Sequence, residues 1–340
     1  MKHLVSVTVT FDRQYIEPAI ITLYEVWKAN CEIIAEIGGI LILEDETSGI
    51  AELDSDIELL KRLITVTDVG GRHIKILTIS DYLPKIKVHH FNNVVIHKLF
   101  APVYYSGSTR FHLNIDAGFL LGHRFNELMI NFIKQLKEKP EAVLGLIGED
   151  LNHQLPPDLD SIRKLDFYPK GGLLIFDKEK YLFKELNQTL LECFLKYHRH
   201  FTYPDQDLLS ICLEPDEVTR LVDLQEQSVF VRYLWPDHLA REPSAVLDDR
   251  NFALYKIAGL LKPWQYHVQD PEKSLYLARR VCVDKILNLD RSLSVNKARE
   301  HIPRHDLLVM SLKLYETILL ENYLNNIQKY SCQGSTHLTT

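Results

Sequence analysis

Apolar and polar positions alternate from the start of the chain. Leu4, Val5, Val7 and Val9 are spaced by polar side chains, and the β-branched content predicts a buried strand over residues 3–10. A polar turn at 12–15 follows. Pro18 and the helical spacing of Ile20, Ile21, Leu23, Tyr24 and Trp27 then predict a helix to about residue 30. The same logic predicts strands at 33–43 (broken at Gly38-Gly39), 74–79, 111–115, 142–147 and 171–176. It predicts helices at 54–64, 94–105, 124–137 and 178–198, the last capped by Asp177. Strands alternating with helices over most of the first 220 residues predict an α/β fold with a mainly parallel sheet.

The pattern changes after Pro271. Residues 274–289 and 306–329 read as helices with no strand between them, and the last is apolar on more than one face: Leu308, Leu312, Ile318, Leu319 and Leu320 do not fit one stripe. An internal packing layer, a homodimer contact and a membrane-surface contact all satisfy that pattern. The division expected is therefore a domain over 1–270 and a helical extension over 271–340, the latter supplying an acceptor site or an oligomer contact.

Composition narrows the class. The 340 residues are 46% apolar and 25% charged, which is globular, and 39 basic against 46 acidic side chains give −7, against a nucleic-acid-binding protein. The longest apolar stretch, 33–43, is too short for a bilayer and contains Glu36. The N-terminus has no signal-peptide pattern, and Cys31, Cys193, Cys212, Cys282 and Cys332 have no CxxC spacing. They read as small buried hydrophobes in a reducing, cytoplasmic setting. There is no GxGxxG after the first strand, no P-loop, no HExxH and no GxSxG. The histidine pairs 89/90, 198/200 and 301/305 lack partner ligands at metal-binding spacing.

Four short segments carry the remaining information. Phe11-Asp12-Arg13-Gln14-Tyr15 follows the first strand. Lys98 lies on a helix ahead of the strand that ends in Ile115-Asp116-Ala117-Gly118. Tyr203-Pro204-Asp205-Gln206-Asp207 opens a helix, and Gly259-Leu260-Leu261-Lys262-Pro263-Trp264 comes last. Taken singly, Asp205 is an N-cap, Asp116 a turn carboxylate and Lys262 a solvated lysine. Taken together, they bring carboxylates to the carboxyl ends of strands, where open α/β sheets bind ligands.

In this order the segments resemble glycosyltransferase family 8, the retaining nucleotide-sugar transferases of GT-A fold, over about residues 3–266. The resemblance implies a GT-A-like domain and transfer of a hexose from a nucleotide-sugar, a UDP-sugar, to a glycan, peptide or small-molecule acceptor. It implies that Thr10, Asp12 and Tyr15 hold the nucleobase end of the donor. Lys98, Asp116, Gly259 and Lys262 would bind its phosphates and sugar, and Asp205 and Gln206, with Asp116, would lie at the reaction centre. Sequence and family differ where the family holds a divalent metal: Gly118 stands for the second Asp of Asp-x-Asp, and Lys256, six residues before Lys262, for the His. Tyr168-Pro169-Lys170-Gly171 replaces Phe-Asn-x-Gly. With Asp116 the one retained metal ligand, formal charge at the three positions sums to zero without an ion, so transfer is expected not to require manganese or magnesium. The alternative is a degenerate relative that binds nucleotide, sugar or a protein partner without turnover.

Overall fold

A computed structural model describes residues 4–29, 31–43, 50–68, 73–80, 83–84, 94–105, 107–122, 124–149, 155–221, 231–234 and 254–257. The chain divides into two compact units, Met1–Arg232 with Asp249–Lys256, and Tyr233–Asp248 with Ile257–Thr340. The first holds nearly all of the described residues. The expected boundary at 270 and the helices expected beyond it lie outside the described residues.

The first strand, β1 (Val5–Phe11), is buried along its whole length and leads through a single turn of 3-10 helix (Arg13–Tyr15) into α1 (Ile16–Ala29). Next come β2 (Ile34–Ile42), α2 (Ile50–Thr67) and β3 (Ile74–Ile79). β2 runs through Gly38-Gly39 without the expected break. Any side chain at Gly39 would press on Ile76 and Phe11, at 2.6 and 2.9 Å, so the glycines are there for close packing.

Residues 94–105 form three short pieces where one helix is expected: α3 (Val94–His97), a 3-10 turn (Lys98–Phe100) and α4 (Ala101–Tyr104). Pro102 sits in the first turn of α4. It has no N–H to give an interior helical bond, so the helix restarts there, leaving Lys98 at the junction. β4 (Phe111–Asp116) turns through Gly118 into β5 (Phe119–Leu121), a short strand that the sequence pattern did not reveal. α5 (Phe125–Glu138), β6 (Leu144–Glu149), α6 (Pro157–Asp160) and β7 (Tyr168–Asp177) follow.

Asp177 caps the next helix as expected, its carboxylate accepting from the Lys180 N–H. That helix is two, α7 (Lys178–Phe183) and α8 (Leu186–Tyr197), broken at Glu185 with φ 49°. The break lets Tyr181 enter the core and donate to the Leu99 carbonyl at 2.8 Å, while Leu186, Leu190 and Phe194 reach the same core from the second helix. Phe183, at the corner, is left 89% exposed. α9 (Pro204–Cys212) and β8 (Val218–Arg220), a second strand not foreseen, complete the main sheet. β9 (Val231–Leu234) and β10 (Leu254–Ile257) belong to a smaller one.

Seven strands line up as β3-β2-β1-β4-β7-β6-β8. All pairs are parallel except the two made by β7, which runs against its neighbours. The expected α/β architecture with a mainly parallel sheet is what forms. β5, β10 and β9 form a second, three-stranded sheet in that order. Because β7 is reversed, its first residues lie at the edge where β1 and β4 end.

Candidate functional site

β1 and β4 are in register, with Thr10 opposite Asp116, so their carboxyl ends finish side by side. Asp12 leaves one strand and Asp116 ends the other. Tyr15, one turn beyond Asp12, is held against both: burial, then the charges of Asp12 and Asp116, push its phenol up to about 12. Asp12 and Asp116 thus lie at the same edge of the sheet, with Tyr15 close to both.

Lys98 occupies the centre. Its ammonium lies 3.0 Å from Asp116 Oδ1 and 2.6 Å from Asp205 Oδ2, and its side chain is only 5% exposed. Burial alone would favour the neutral amine. The two carboxylates outweigh it and hold the pKa above the ordinary lysine range, so Lys98 is a fixed cation. Its sequence-expected role was donor binding; in the structure it also ties the end of β4 to the start of α9.

The third wall is built by a bulge. The β6–β7 register passes from Leu146 opposite Leu174 to Ile147 opposite Lys170, so residues 171–173 are extra on β7. This brings the Gly171 backbone against the ion pair. A Cβ there would overlap Asp205 Oδ2 and come within 2.8 Å of Asp205 Cγ and 3.0 Å of Lys98 Nζ. Pro169 faces Gly148, and Lys170 pairs with Glu149 at 2.8 Å.

Asp207 anchors the loop ahead of α9. One oxygen accepts from the Tyr168 hydroxyl at 2.7 Å; the other accepts the N–H groups of Thr202 and Tyr203 at 2.7 and 2.9 Å. Burial raises its pKa despite these three donors. In the Asp205-Gln206-Asp207 triplet the first residue thus turns into the crevice, the last holds the loop, and Gln206 is half-buried between them.

A polar file behind the crevice was not anticipated. Asn114 donates to Thr8 Oγ1 at 3.0 Å and Thr10 Oγ1 at 2.8 Å, and Thr8 Oγ1 lies 2.8 Å from His112 Nε2. All four residues are buried. The signal was available: Ser6, Thr8 and Thr10 alternate with valines in β1, and His112, Asn114 and Asp116 alternate with Phe111, Leu113 and Ile115 in β4. Two abutting strands with the same alternation must share a polar face.

Lys256 lies in β10, its backbone opposite Phe119, one residue past Gly118. Gly259 and Lys262 lie outside the described residues.

The donors at the turn do not match a divalent-metal site. Gly118 has φ 92°, a conformation in which an aspartate would be strained, and its N–H is given to Thr22 Oγ1 at 3.2 Å. Asp116 already has an ammonium beside it, and among the described residues no three His, Cys, Asp or Glu side chains converge as metal ligands. No described helix is long and apolar enough to cross a membrane.

Matched against protein-family models the chain finds none, and no curated protein sequence is significantly similar. Comparison of folds is informative. The galactosyltransferase LgtC, solved with donor and acceptor sugar analogues, aligns over 91% of this chain and 100% of its own, with TM-score 0.52 and 14% identity. An LgtC active-site mutant gives the same values. The glycosyltransferase GlyE of Streptococcus pneumoniae TIGR4 aligns over 90% of this chain and 66% of its own (TM-score 0.51, 14% identity). The bifunctional glycosyltransferase WbbM aligns over 87% of this chain but about half of its own length, 52% (TM-score 0.54, 14% identity). The fold is thus of the GT-A class these glycosyltransferases share.

Proposed function

We propose that this protein is a glycosyltransferase that moves a hexose from a UDP-sugar to an acceptor hydroxyl with retention, and that it does so without a divalent metal. The observation that carries the proposal is the Asp116–Lys98–Asp205 arrangement at the carboxyl edge of a GT-A sheet. Sugar transfer breaks the bond between the anomeric carbon and a diphosphate, through an oxocarbenium-like state with negative charge growing on the leaving group. A site for this needs carboxylate or amide groups for the sugar hydroxyls and cations for the phosphates, all preorganised.

In this reading Asp12 and Tyr15 hold the base, with Thr10 beside them. Asp205 and Gln206 orient the sugar, and Asp116, fixed by Lys98, meets its hydroxyls or the ribose. Lys262, Lys256 and the Gly259 backbone receive the diphosphate. The similarity to LgtC, whose structure contains donor and acceptor analogues, supports this reading, as does the side-by-side ending of β1 and β4. Metal independence rests on charge. Like charges about 4 Å apart cost roughly 4 kcal/mol at an effective dielectric of 20, and about twice that for a divalent ion beside an ammonium. Lys98 already stands at Asp116, and Gly118 supplies no second carboxylate.

The test is release of UDP from UDP-hexoses, with and without sugar acceptors, in excess chelator. Activity is expected to survive chelation and to fall at least a hundredfold in Asp205→Asn, with UDP affinity in calorimetry retained. Activity abolished by chelator and restored by manganese would overturn the metal-free part; full activity in Asp205→Asn would overturn the site. Gly118 also favours a second reading, a nucleotide- or sugar-binding protein without turnover. UDP binding with no donor consumption under any condition would select it.

A further inference from the structure

The first turn of α9 carries Asp205 and Gln206 to the crevice, yet its own cap is incomplete. Tyr203 holds the N-cap position, and its side chain caps nothing. Asp207 satisfies that end from inside the helix. Its Oδ2 reaches back to the N–H groups of Thr202 and Tyr203 at 2.7 and 2.9 Å, much as the acid of a capping box reaches the N-cap amide. Its Oδ1 accepts the Tyr168 hydroxyl at 2.7 Å. One buried carboxylate therefore joins the start of β7 to the start of α9. The bond is charge-assisted: burial and the Asp207 charge hold the Tyr168 phenol well above the ordinary tyrosine range, so the hydroxyl keeps the proton it donates. The ring itself needs no hydroxyl to pack, since it lies in the apolar cluster with Phe100, Leu174 and Leu209.

We propose that Tyr168 is a positioning residue for sugar transfer: through Asp207 it fixes the backbone ahead of α9, and so holds Asp205 and Gln206 where they orient the donor sugar. The inference rests on the glycosyltransferase reading. The geometry leaves little slack. Asp205, two residues before Asp207 in the same turn, lies 2.6 Å from Lys98, and a Cβ on Gly171 would overlap its carboxylate. Gly171 is three residues beyond Tyr168 on β7. The strand thus meets the first turn of α9 at two places, Tyr168 on Asp207 and Gly171 against Asp205. Without the hydroxyl, Asp207 is aimed by the two amides alone, and the turn is free to pivot about the second place. A misplacement of about 1 Å at a reacting centre can cost about a hundredfold in rate. Nucleotide affinity is spared, because the base is held in this reading by Asp12 and Tyr15, which follow β1.

The experiment measures UDP-hexose turnover and UDP affinity in the full chain, as wild type, Tyr168→Phe, Asp207→Asn and the double variant. For Tyr168→Phe, kcat should fall by about tenfold or more, with KM and the Kd for UDP within about twofold of the wild type. In the Asp207→Asn background the same change should cost less than about threefold, because the charge that the hydroxyl serves is gone. Where Asp207→Asn does not fold, hydrogen exchange of the Thr202 and Tyr203 amides replaces the cycle: it should quicken in Tyr168→Phe, and unchanged exchange would overturn the inference. An active wild type with unchanged kcat in Tyr168→Phe, a loss that falls equally on UDP affinity, or the full loss in both backgrounds would also overturn it and leave the glycosyltransferase reading standing. A wild type that binds UDP and consumes no donor would overturn that reading and this inference together.

Discussion

Gly171→Ala is the smallest change that tests whether the crevice is built as described. The new methyl carbon would overlap Asp205 Oδ2 and sit 2.8 Å from Asp205 Cγ and 3.0 Å from Lys98 Nζ, all closer than ordinary contact. Asp205 is 7% exposed on its side chain and lies in the first turn of α9, which Asp207 pins through Thr202 and Tyr203. The carboxylate must therefore rotate off Lys98 or the bulge must shift. Inserting a methyl into a packed site costs about 1–3 kcal/mol. Loosening a buried ion pair adds to this, up to the roughly 3–5 kcal/mol of removing a partner outright. At roughly 2–4 °C per kcal/mol for a large domain, the thermal midpoint should fall by several degrees. If Asp205 orients the sugar as proposed, UDP-hexose turnover should fall far more than UDP affinity, because the methyl presses on Asp205. A double-mutant cycle isolates the cause: in an Asp205→Ala background the clashing oxygens are gone, and Gly171→Ala should cost at least 1 kcal/mol less there. Equal cost in both backgrounds would refute the argument that Gly171 exists to admit Asp205.

Two further outcomes are expected. Burial lowers His97 to about 4, and burial, with the Lys178 charge, lowers His112 to about 3, so the fold binds them neutral while the unfolded chain protonates near 6.5. Stability should therefore fall as pH drops below 6.5, by about 1.4 kcal/mol per unit for each histidine until its folded pKa is reached. Urea unfolding at a series of pH values should show His112→Gln with a shallower slope than the wild type; an unchanged slope would remove His112 from that account. Gly118→Asp, which restores the carboxylate missing from the turn, should destabilise by about 1–3 kcal/mol because its φ of 92° suits glycine alone. It should not create a manganese requirement, because Lys98 still holds Asp116. Chelator-sensitive donor turnover in Gly118→Asp would show that geometry, and not the ammonium, decides the matter.

Much of the fold was legible because its sheet is buried and its helices are amphipathic. The 74–79 strand is found where the pattern puts it, and the other long elements begin and end within a few residues of expectation. Misjudged elements fail for local reasons. Gly38-Gly39 resembles a break but serves close packing, and the split at Glu185 has no glycine or proline to announce it. β5 and β8 have three residues each, too few to show a period. Asp12, Asp116 and Asp205 stand out in the sequence because each sits at a strand end or helix start. What sequence could not supply was the bulge at 171–173 or the double pairing of Lys98, since both depend on residues far apart in the chain.

The polar file behind the crevice explains why so many hydrogen-bonding groups are buried in strands that could have been wholly apolar. A valine or leucine at 114 would fit the alternation and fill space. It would also leave Thr10 without the amide that orients it beside Asp116, and Thr8 without one of its two partners. An unmatched buried hydroxyl costs about 1–3 kcal/mol, so the pairings of Thr8 and Thr10 are what make their burial tolerable, while Asn114 Oδ1 and His112 Nδ1 have no hydrogen-bond partner among the described residues. Lys98 follows the same logic with charge in place of hydroxyls: removing either carboxylate leaves a buried ammonium half-paired, and removing Lys98 leaves the buried Asp205 and the partly buried Asp116 without their shared cation. An evolving scaffold could have escaped both liabilities with apolar residues, which are often as stable or more so. Their presence at the one edge where β1, β4, the start of β7 and the start of α9 converge is what selection on the proposed donor geometry at Thr10, Asp116, Lys98 and Asp205 would leave.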